Sequence, residues 1–481
     1  MAVILLPVAG AAITFLLGRR ARPVAMALVL AVLVCVLWLA AVLVEEGPVR
    51  YPIGGWGAPL GVDLLADGLS VFMLLITALT GTGVAAYGLR YFRPAPRHAG
   101  GFWPLWLLLW GAMNALYLSA DVFNLYVTLE LMGLAAVALV ALAGSAEALT
   151  GAMRYLLTTM VASLTYLLGV GLLYHQAGTL DIVTLGERIA SAPAGWAGLG
   201  LVFGGLLVKS ALFPLHFWLP GAHASAPAPV SALLSALVVK ATFYLVLRLW
   251  LEVVPGDPVR LGLALAALGV VAILWGSVQA LRQAELKLLV AYSTVAQLGY
   301  LFVPFGIARA DLAAMAWRGA LYFALCHALA KASMFMAVGN FMAGGGSGRL
   351  DDLHRTAARQ PLTLAAFGVA GITIIGLPPS GGFIGKWMLL QASFEAGAFW
   401  LTIVILAGGL LSAAYVFRVV GLAFGNIELG PATGADLPMQ WIALILALAT
   451  LALGFTAPPL LRVLDVGEPL GLLALSSEGG G

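Results

Sequence analysis

The stretch "LLVKSALFPLHFWLP", residues 206 to 220, is apolar enough to lie inside a membrane, yet it contains Lys209 and is interrupted by Pro214. A lysine at the centre of a membrane helix costs about 2.5 to 3.5 kcal/mol, so it is seldom kept there without a use. Proline removes a backbone hydrogen bond and breaks a helix. The stretch therefore predicts a membrane helix that is broken next to a functional charged side chain.

The composition of the whole chain indicates a membrane protein. Of its 481 residues, 62% are hydrophobic and only 9% are charged, which is too little polar surface to cover a soluble globule. Apolar runs of about 20 residues, long enough to cross a bilayer as helices, repeat along the chain. The sequence predicts an all-α integral membrane protein of about fourteen transmembrane helices. The predicted spans are residues 2–17, 24–44, 68–89, 104–119, 121–143, 154–174, 198–218, 229–250, 260–280, 288–307, 316–342, 362–392, 400–422 and 440–461.

The lysines are distributed in an unusual way. Four of the five lysines fall well inside predicted spans, whereas only one acidic residue, Glu130, lies equally deep. The four are Lys209, Lys240, Lys331 and Lys386. One carboxylate cannot neutralise four cations, and burial favours the uncharged form of an amine. We therefore expect at least some of these lysines to gain and lose protons. Arg248 lies nearer a helix end, and we expect it to reach the membrane interface.

A second interruption indicates an internal repeat. The segment "GITIIGLPPSGGFIGKWMLL", residues 371 to 390, interrupts predicted span twelve with Pro378, Pro379, Gly381 and Gly382, five spans after the break at Pro214. Two five-helix units, spans four to eight and nine to thirteen, would have opposite orientations because the count is odd, which is the inverted-repeat architecture of transporters. The predicted regions are 1–100 (three helices), 101–255 (first repeat), 256–425 (second repeat) and 426–481 (last helix and short C-terminus).

The basic residues predict the orientation. With the N-terminus outside, thirteen basic residues fall in cytoplasmic segments and six in outer ones, so both termini are expected to face outward. The net charge of +3 then reflects membrane topology, and no nucleic-acid partner is expected. Cys35 and Cys326 occur singly in predicted spans, so neither a disulfide nor a metal site is expected, and no cofactor is predicted.

Other polar and aromatic residues allow less specific expectations. His216 and His223 follow the first break, and they serve either a proton path or loop packing. Ser293, Thr294 and Gln297 of span ten are expected to line water or to bond neighbouring helices. The tryptophans are expected to anchor helices at the membrane interface, and these include Trp103, Trp106 and Trp110.

Several segments resemble one known family. They are "KSALFPLHFWLPGAHASAPAPVSALL" (209–234), "AYSTVAQLGYLF" (291–302), "HALAKASMF" (327–335) and "GLPPSGGFIGKW" (376–387). Such segments are typical of the antiporter-like proton-conducting subunits shared by Mrp-type Na⁺/H⁺ antiporters, respiratory complex I and membrane-bound hydrogenases. Residues 53–73, 121–130 and 178–189 look most like the D subunit of the Mrp complex, which is related to the N subunit of complex I.

The resemblance implies a role for each ionisable residue in the spans. Glu130 and Lys209 resemble the family's glutamate–lysine pair, and Lys240 its central lysine. His327 and Lys331, four apart and hence on one helix face, resemble its polar pair. Lys386 resembles the lysine that ends the row in the Mrp D subunit and in the complex I N subunit, where the complex I M subunit has glutamate. The family often has aspartate where this chain has Gly221.

These features predict a proton-translocating subunit of a multisubunit Na⁺/H⁺ antiporter, which moves protons along a mid-membrane row of ionisable groups and water. Its expected partners are other membrane subunits, protons, Na⁺ and the lipid bilayer of a prokaryotic plasma membrane. Such a chain is a secondary transporter and not an enzyme. Two alternatives remain open: a pumping subunit of an NADH:quinone oxidoreductase or hydrogenase, and a membrane subunit of an inorganic-carbon uptake system.

Overall fold

The chain forms a bundle of helices in a computed structural model that describes residues 1–189, 193–256, 258–354, 356–425, 436–467 and 470. Parts of the predicted fourth region, residues 426–435, 468, 469 and 471–481, therefore lie outside the described residues. The helices before the first break are α1 (Ala2–Leu17), α2 (Ala21–Glu46), α3 (Gly68–Tyr91), α4 (Pro96–Leu118), α5 (Val122–Ala141), α6 (Ala146–Ala177), α7 (Ile182–Arg188) and α8 (Pro193–Lys209).

The remaining helices complete the two predicted repeats and the C-terminal region. They are α9 (Leu219–Ser225), α10 (Ala228–Leu233), α11 (Val239–Glu252), α12 (Val259–Arg282), α13 (Leu286–Leu301), α14 (Ala310–Ala343), α15 (Thr356–Arg359), α16 (Pro361–Ile375), α17 (Gly381–Glu395), α18 (Phe399–Ala423), α19 (Leu437–Ala452) and α20 (Ala457–Asp465). A π-helical turn, Leu234–Val238, joins α10 to α11.

The prediction of an all-α membrane protein is confirmed. In the described part of the chain, nine helical segments are long and apolar enough to cross a membrane, or ten if the bent pair α19–α20 is one span. Each of the fourteen predicted spans overlaps a helix or a pair of helices. The number fourteen itself stays a prediction, because several of these helices are too short to cross alone.

One β-hairpin was not predicted. Strands β1 (Val49–Pro52) and β2 (Asp63–Ala66) pair antiparallel in the connection between α2 and α3. The second strand leads directly into α3, where the side chain of Asp67 accepts a hydrogen bond from the backbone N–H of Ser70 and the Ser70 hydroxyl accepts one from the Asp67 N–H. This capping box satisfies backbone donors that the first turn of a helix leaves free.

Both predicted helix breaks are present. Residues 210–218 separate α8 from α9, and residues 376–380 separate α16 from α17. Each break contains a cis peptide bond before proline and a residue of positive φ, Ala211 at 52° and Gly376 at 88°. The chain is non-helical at these points, as the proline and glycine content of the sequence predicted.

The two broken helices pack against their neighbours in the same way. A Cβ atom added to Gly205 of α8 would lie 2.4 Å from the carbonyl oxygen of Ala162 in α6. In the second half, a Cβ added to Gly385 of α17 would lie 2.8 Å from the carbonyl oxygen of Gly319 in α14. In each half, glycine thus allows the broken helix to touch the backbone of a continuous one. This correspondence supports the proposed repeat of spans four to eight in spans nine to thirteen.

The interior of the bundle is formed by α14 and by the α10–α11 segment. The most apolar 18-residue stretch of each is completely buried, whereas α1 and α2 are largely exposed. Helices enclosed in this way can carry polar side chains without presenting them to lipid. The expectation for three tryptophans was wrong: Trp103, Trp106 and Trp110 of α4 are buried. Their spacing of three and four residues places them on one face of α4, which packs against neighbouring helices.

Candidate functional site

Glu130 and Lys209 form an ion pair at the first break. Glu130 lies on α5, and Lys209 is the last residue of α8. The Lys209 Nζ and a Glu130 carboxylate oxygen are 2.8 Å apart, and the Ser163 hydroxyl of α6 donates to the same oxygen. Lys209 is buried, whereas 27% of the Glu130 side chain is exposed. Three helices therefore hold the pair, and the carboxylate remains accessible from one side.

The end of α8 provides a second favourable setting for the Lys209 cation. The last carbonyl groups of a helix lack helical partners and favour positive charge. The Trp218 indole N–H, from across the break, donates to the carbonyl oxygen of Val208 at 2.9 Å. Trp218 in turn stacks on Tyr155, with ring centroids 4.3 Å apart. The break is thus braced by an aromatic pair, and Lys209 lies where the backbone leaves the helical path.

Lys240 is buried and has no carboxylate partner among the described residues. Its ammonium group donates to the carbonyl oxygen of Ser235 at 3.0 Å. That oxygen belongs to the π-helical turn Leu234–Val238, a type of local distortion frequently found at functional sites. The Ser235 hydroxyl also shares a hydrogen bond of 2.7 Å with Thr294 of α13. The π turn thus connects the central lysine to the second repeat.

His327 and Lys331 lie on the same face of α14, as predicted from their spacing. Lys331 donates to the Ser293 hydroxyl and to the carbonyl oxygen of Val290, 3.1 Å away, both on α13. His327 is also buried, but neither ring nitrogen has a hydrogen-bond partner within the described ranges. Its ring stacks on Phe323, with centroids 5.6 Å apart. An unpartnered buried imidazole can take up or release a proton when water or a neighbouring amine reaches it.

Lys386 is held by the second break. Its ammonium group donates to the carbonyl oxygen of Ile374 at 2.7 Å, in the last turn of α16. The nitrogen also lies over the Tyr300 ring, 4.0 Å from the centroid, and 5.1 Å from that of Phe323. Backbone carbonyls at a helix end and aromatic faces both stabilise a cation without neutralising it. Lys386 therefore sits in a site that accepts either form of the amine.

Four of these side chains form one electrostatic cluster. His327 interacts electrostatically with Lys240, Lys331 and Lys386, and Lys331 also interacts with Lys240 and Lys386. The Glu130–Lys209 pair stands apart, and the electrostatic interactions of Lys209 are with Glu130. In the part of the chain that the structure describes, no other lysine forms an ion pair with a carboxylate. Mutual repulsion and burial therefore both oppose the simultaneous charging of these four groups.

The polar residues of α13 form hydrogen bonds to neighbouring helices, which is one of the two roles that the sequence predicted for them. Ser293 accepts from Lys331, and Thr294 pairs with Ser235. The Gln297 amide donates to the Ser412 hydroxyl at 3.0 Å and to the Tyr415 hydroxyl at 3.1 Å, both on α18. These contacts place polar groups of α13 between Lys240 and Lys331, where they complete the surroundings of the cluster.

Sequence reasoning missed several participants. Ser163 had a detectable signal, since it is a polar residue in an apolar helix, but nothing marked it as a partner of Glu130. Tyr300 and Phe323 could not be distinguished from other buried aromatic residues. The π turn could not be predicted from its mostly apolar sequence "LSALV", residues 234 to 238. These features depend on which helices meet, which the local sequence does not encode.

The expectation that Arg248 reaches the membrane interface was wrong. Its guanidinium group is buried and donates to both carboxylate oxygens of Asp67, at 2.5 and 2.8 Å, and to the Tyr244 hydroxyl at 3.2 Å. Burial alone would raise the pKa of Asp67, but the Arg248 charge and hydrogen bonds hold it below its ordinary value. A planar guanidinium matches a carboxylate in this two-bonded geometry. Arg248 therefore fixes the start of α3 to α11.

The Asp67–Arg248 pair predicts a pH-dependent stability. Because the folded-state pKa of Asp67 is lowered, its contribution is fully present above the ordinary value of about 3.9 and is lost as the pH falls through the folded-state pKa. Asp67→Asn leaves Arg248 buried without its counter-ion and should lower the free energy of unfolding at pH 7 by about 3 to 5 kcal/mol.

Thermal unfolding of the detergent-purified variant and of the native protein, at pH 7 and at pH values below about 3.9, measures this loss. The difference in stability between the two proteins should become smaller as the pH falls through the folded-state pKa of Asp67. Asp311→Asn is the matched control. Asp311 also pairs with an arginine, Arg309 at 2.8 Å, but the pair is exposed, so its removal should leave the unfolding temperature almost unchanged. Equal effects of the two substitutions would contradict a stabilising role for the buried pair.

Two broken membrane helices that flank an enclosed row of titratable side chains define an ion-translocating membrane protein of the transporter type. The chain belongs to the NADH:quinone oxidoreductase/Mrp antiporter transmembrane family, whose model matches residues 119–412. The matched range includes every ionisable residue of the predicted row, from Glu130 to Lys386. The resemblance noted from the sequence motifs is thereby confirmed.

Similar proteins carry names from both branches of this family. The N subunit of NADH-quinone oxidoreductase of Desulforudis audaxviator (strain MP104C) is 36% identical over 448 residues, covering 91% of this chain and 88% of that protein. The D subunit of the Na⁺/H⁺ antiporter of Bacillus subtilis (strain 168) is 30% identical over 395 residues, covering 81% and 79%. A chain of the Mrp complex from Dietzia sp. DQ12-45-1b superimposes with a TM-score of 0.88 over 99% of this chain and 96% of that one, and at 23% identity the likeness concerns the fold.

Proposed function

We propose that this chain is the proton-translocating subunit of a multisubunit monovalent cation/proton antiporter. The observation that carries the proposal is the buried cluster of Lys240, His327, Lys331 and Lys386, whose amines are held by carbonyl oxygens, a hydroxyl group and aromatic rings. Such partners stabilise the protonated form of an amine less strongly than a carboxylate would, so the amine can still release its proton. Protons pass from Lys209 through Lys240 and the α14 pair to Lys386, with water bridging the gaps.

The Glu130–Lys209 pair supplies the coupling step. At an effective dielectric constant of 20, the attraction between two unit charges is about 4 kcal/mol at 4 Å and about 1.7 kcal/mol at 10 Å. Separating the two groups therefore removes about 2.3 kcal/mol, which favours proton release from Lys209 by about 50-fold. Movement of α8 against α5 at the break would open the pair, and its closure would load Lys209 again.

The exchanged cation and the location follow from the same proposal. A similar protein of Bacillus subtilis is named a Na⁺/H⁺ antiporter subunit, and we assign Na⁺ to this chain on that likeness. Its place is the plasma membrane of a prokaryote, with both termini outside, because the basic residues are more numerous in the segments then assigned to the cytoplasm. We also propose that the chain is organised as the four regions predicted from the sequence, namely residues 1–100, 101–255, 256–425 and 426–481.

A second candidate is supported by one observation. The relative with 36% identity is named as a subunit of an NADH-quinone oxidoreductase, so the same proton row would serve a redox-driven pump if this chain assembled with electron-transferring subunits. The row of side chains is compatible with a cation gradient or with electron transfer as the energy source, because partner subunits supply that energy. The partner proteins therefore distinguish the two candidates.

We expect an affinity-tagged copy of the chain, purified in mild detergent from its native membrane, to bring down small Mrp-type membrane subunits. The same preparation in proteoliposomes should show Na⁺-dependent proton flux. Recovery of iron–sulfur or nickel proteins with no Na⁺ dependence would contradict the antiporter and support the redox pump. Recovery of a large zinc-containing soluble protein would instead support the inorganic-carbon alternative.

A further inference from the structure

A cavity lies at the end of α14 that faces the predicted cytoplasmic side. Its volume is about 650 Å³, and its lining includes Ser225, Ala226, Lys287 and Met342. Met342, in the last turn of α14, is 37% exposed, so the cavity adjoins the protein surface. The proton row described above does not use this cavity. Its lining brings an ionisable residue of the second half of the chain, Lys287, to this surface opening.

Lys287 connects the cavity to the first broken helix. It lies in the first turn of α13, and its ammonium group donates to the carbonyl oxygens of Ala226 at 2.6 Å and Ala224 at 3.5 Å. Both oxygens belong to the C-terminal end of α9. An ammonium group has three N–H donors, so one remains for water in the cavity. Lys287 thus joins the cavity to α9, the half-helix that contains His223.

His223 is the next ionisable group inward. It is completely buried on α9, and neither ring nitrogen has a hydrogen-bond partner among the residues the structure describes. It interacts electrostatically with both Lys287 and Lys331. Leaving a polar atom buried and unsatisfied costs about 1 to 3 kcal/mol, so such atoms usually have a function or a transient partner. His223 therefore interacts both with the lysine of the cavity lining and with a lysine of the buried cluster.

One face of α14 continues this connection. Residues Phe323, His327, Lys331 and Phe335 follow one another at intervals of four, so they line one side of the helix over about 18 Å. Phe335 stacks on His223, with ring centroids 5.0 Å apart and planes inclined by 17°. His223 therefore adjoins the face of α14 that carries Lys331, one helical turn nearer the cavity.

We propose that Lys287 and His223 form the proton-uptake path from this cavity to Lys331, an inference that rests on the proposed function. Neutral imidazole accepts a proton from cavity water or from the Lys287 ammonium group at one nitrogen and releases the proton on its other nitrogen to the Lys331 amine. One N–H bond forms as another breaks, and no electrons are transferred. Because burial disfavours a charge on His223, and because either lysine repels that charge while it is itself protonated, the proton does not stay there.

His223→Phe tests the relay with little change in packing. Phenylalanine can keep the stack on Phe335 but holds no proton, so proton uptake into proteoliposomes should fall by about 100-fold. Lys287→Met should reduce uptake as well. His216→Phe is the matched control. His216 lies within the first break and also stacks on an aromatic ring, that of Phe213, but among the described residues it has no electrostatic interaction with the lysines of the row. Its replacement should leave uptake unchanged.

Chemical rescue separates a relay from a structural role. His223→Ala leaves a space beside the Phe335 ring, and added imidazole should restore uptake in this variant while having no effect on His223→Phe, where the space is filled. A native gel checks that each variant assembles. Failure of imidazole to rescue an assembled His223→Ala protein, or uptake at the native rate in His223→Phe, would overturn the proposal.

Lys331→Ala distinguishes this inference from the proposed function. If Lys331→Ala is inactive while His223→Phe transports normally, the row is correct and only the uptake path is wrong. If both variants transport normally, the row itself is wrong, and the uptake path is wrong with it. The position of the cavity is tested by Met342→Cys after replacement of Cys35 and Cys326, the two native thiols. A membrane-impermeant thiol reagent should block uptake from the cytoplasmic side, and a block only from the other side would overturn the path.

Discussion

Glu130→Ala and Lys209→Ala should each abolish proton-coupled transport, with losses of at least about 100-fold. The two side chains form the ion pair of 2.8 Å at the first break, and none of the other buried lysines has a carboxylate counter-ion within the described residues. Removing Glu130 leaves the Lys209 amine without the charge that loads it. Removing Lys209 leaves Glu130 without its ammonium donor and counter-ion, while the Ser163 hydroxyl still donates to the carboxylate. Proton flux in proteoliposomes, with assembly checked on a native gel, measures both effects.

Glu252→Gln is a matched control for Glu130→Ala. Its side chain is 29% exposed, close to the value for Glu130, and it also faces a basic group, Arg248 at 3.5 Å, but it lies outside the row. Transport by this variant should be normal. Normal transport by Glu130→Ala would show that the pair does not load Lys209. The exchange Glu130→Lys with Lys209→Glu need not restore activity, because inverting two charges among fixed neighbours creates a different electrostatic problem.

Lys386→Arg should impair transport as severely as Lys386→Ala, again by about 100-fold or more. Arginine keeps the positive charge and can donate to the Ile374 carbonyl oxygen, and it can stack on Tyr300. It cannot release its proton in a protein. The substitution therefore keeps the electrostatic field of the site and removes only the proton transfer. Lys386→Glu should retain part of the activity, because a related subunit has glutamate here.

Na⁺-dependent proton flux in vesicles from a host without its own antiporters is the measurement for Lys386. The comparison of arginine with alanine decides the role of the residue, since both variants lack a releasable proton but only alanine lacks the charge. Full activity in Lys386→Arg combined with a loss in Lys386→Ala would mean that the site supplies a fixed charge. The proton route would then leave the row before α17.

The sequence predicted the parts of the fold that depend on local composition. Apolar runs of membrane-spanning length located the helices, and the prolines and glycines located both breaks. Charged residues in apolar helices are so unfavourable that their occurrence alone singled out Glu130 and the four lysines. The structure brings Glu130 into contact with Lys209 and places His327 where it interacts electrostatically with Lys240, Lys331 and Lys386.

Features that depend on tertiary contacts were missed or misread. Arg248 was expected at the interface because it lies near a helix end, but its partner Asp67 is 181 residues earlier, in a hairpin connection that no local pattern indicated. The aromatic surroundings of Lys386 come from α13 and α14, and its carbonyl partner comes from α16. A lysine in an apolar segment is recognisable from the sequence. The groups that hold it are residues of common types, and only the packing of the helices shows their role.

The regular face of α14 has a consequence for how such a protein can be adjusted. His327 and Lys331 are separated by about 6 Å along a continuous, enclosed helix, and that separation is set by the backbone. A change of side chain on α14 alters which group holds a proton but not how far the proton must travel. The gaps that can lengthen or shorten are those whose two sides lie on different segments, above all at residues 210–218 and 376–380, where the chain is not helical. The rate of proton transfer and the rate of proton leak would therefore be adjusted in these two short non-helical segments, while the distances between ionisable groups along α14 stay constant.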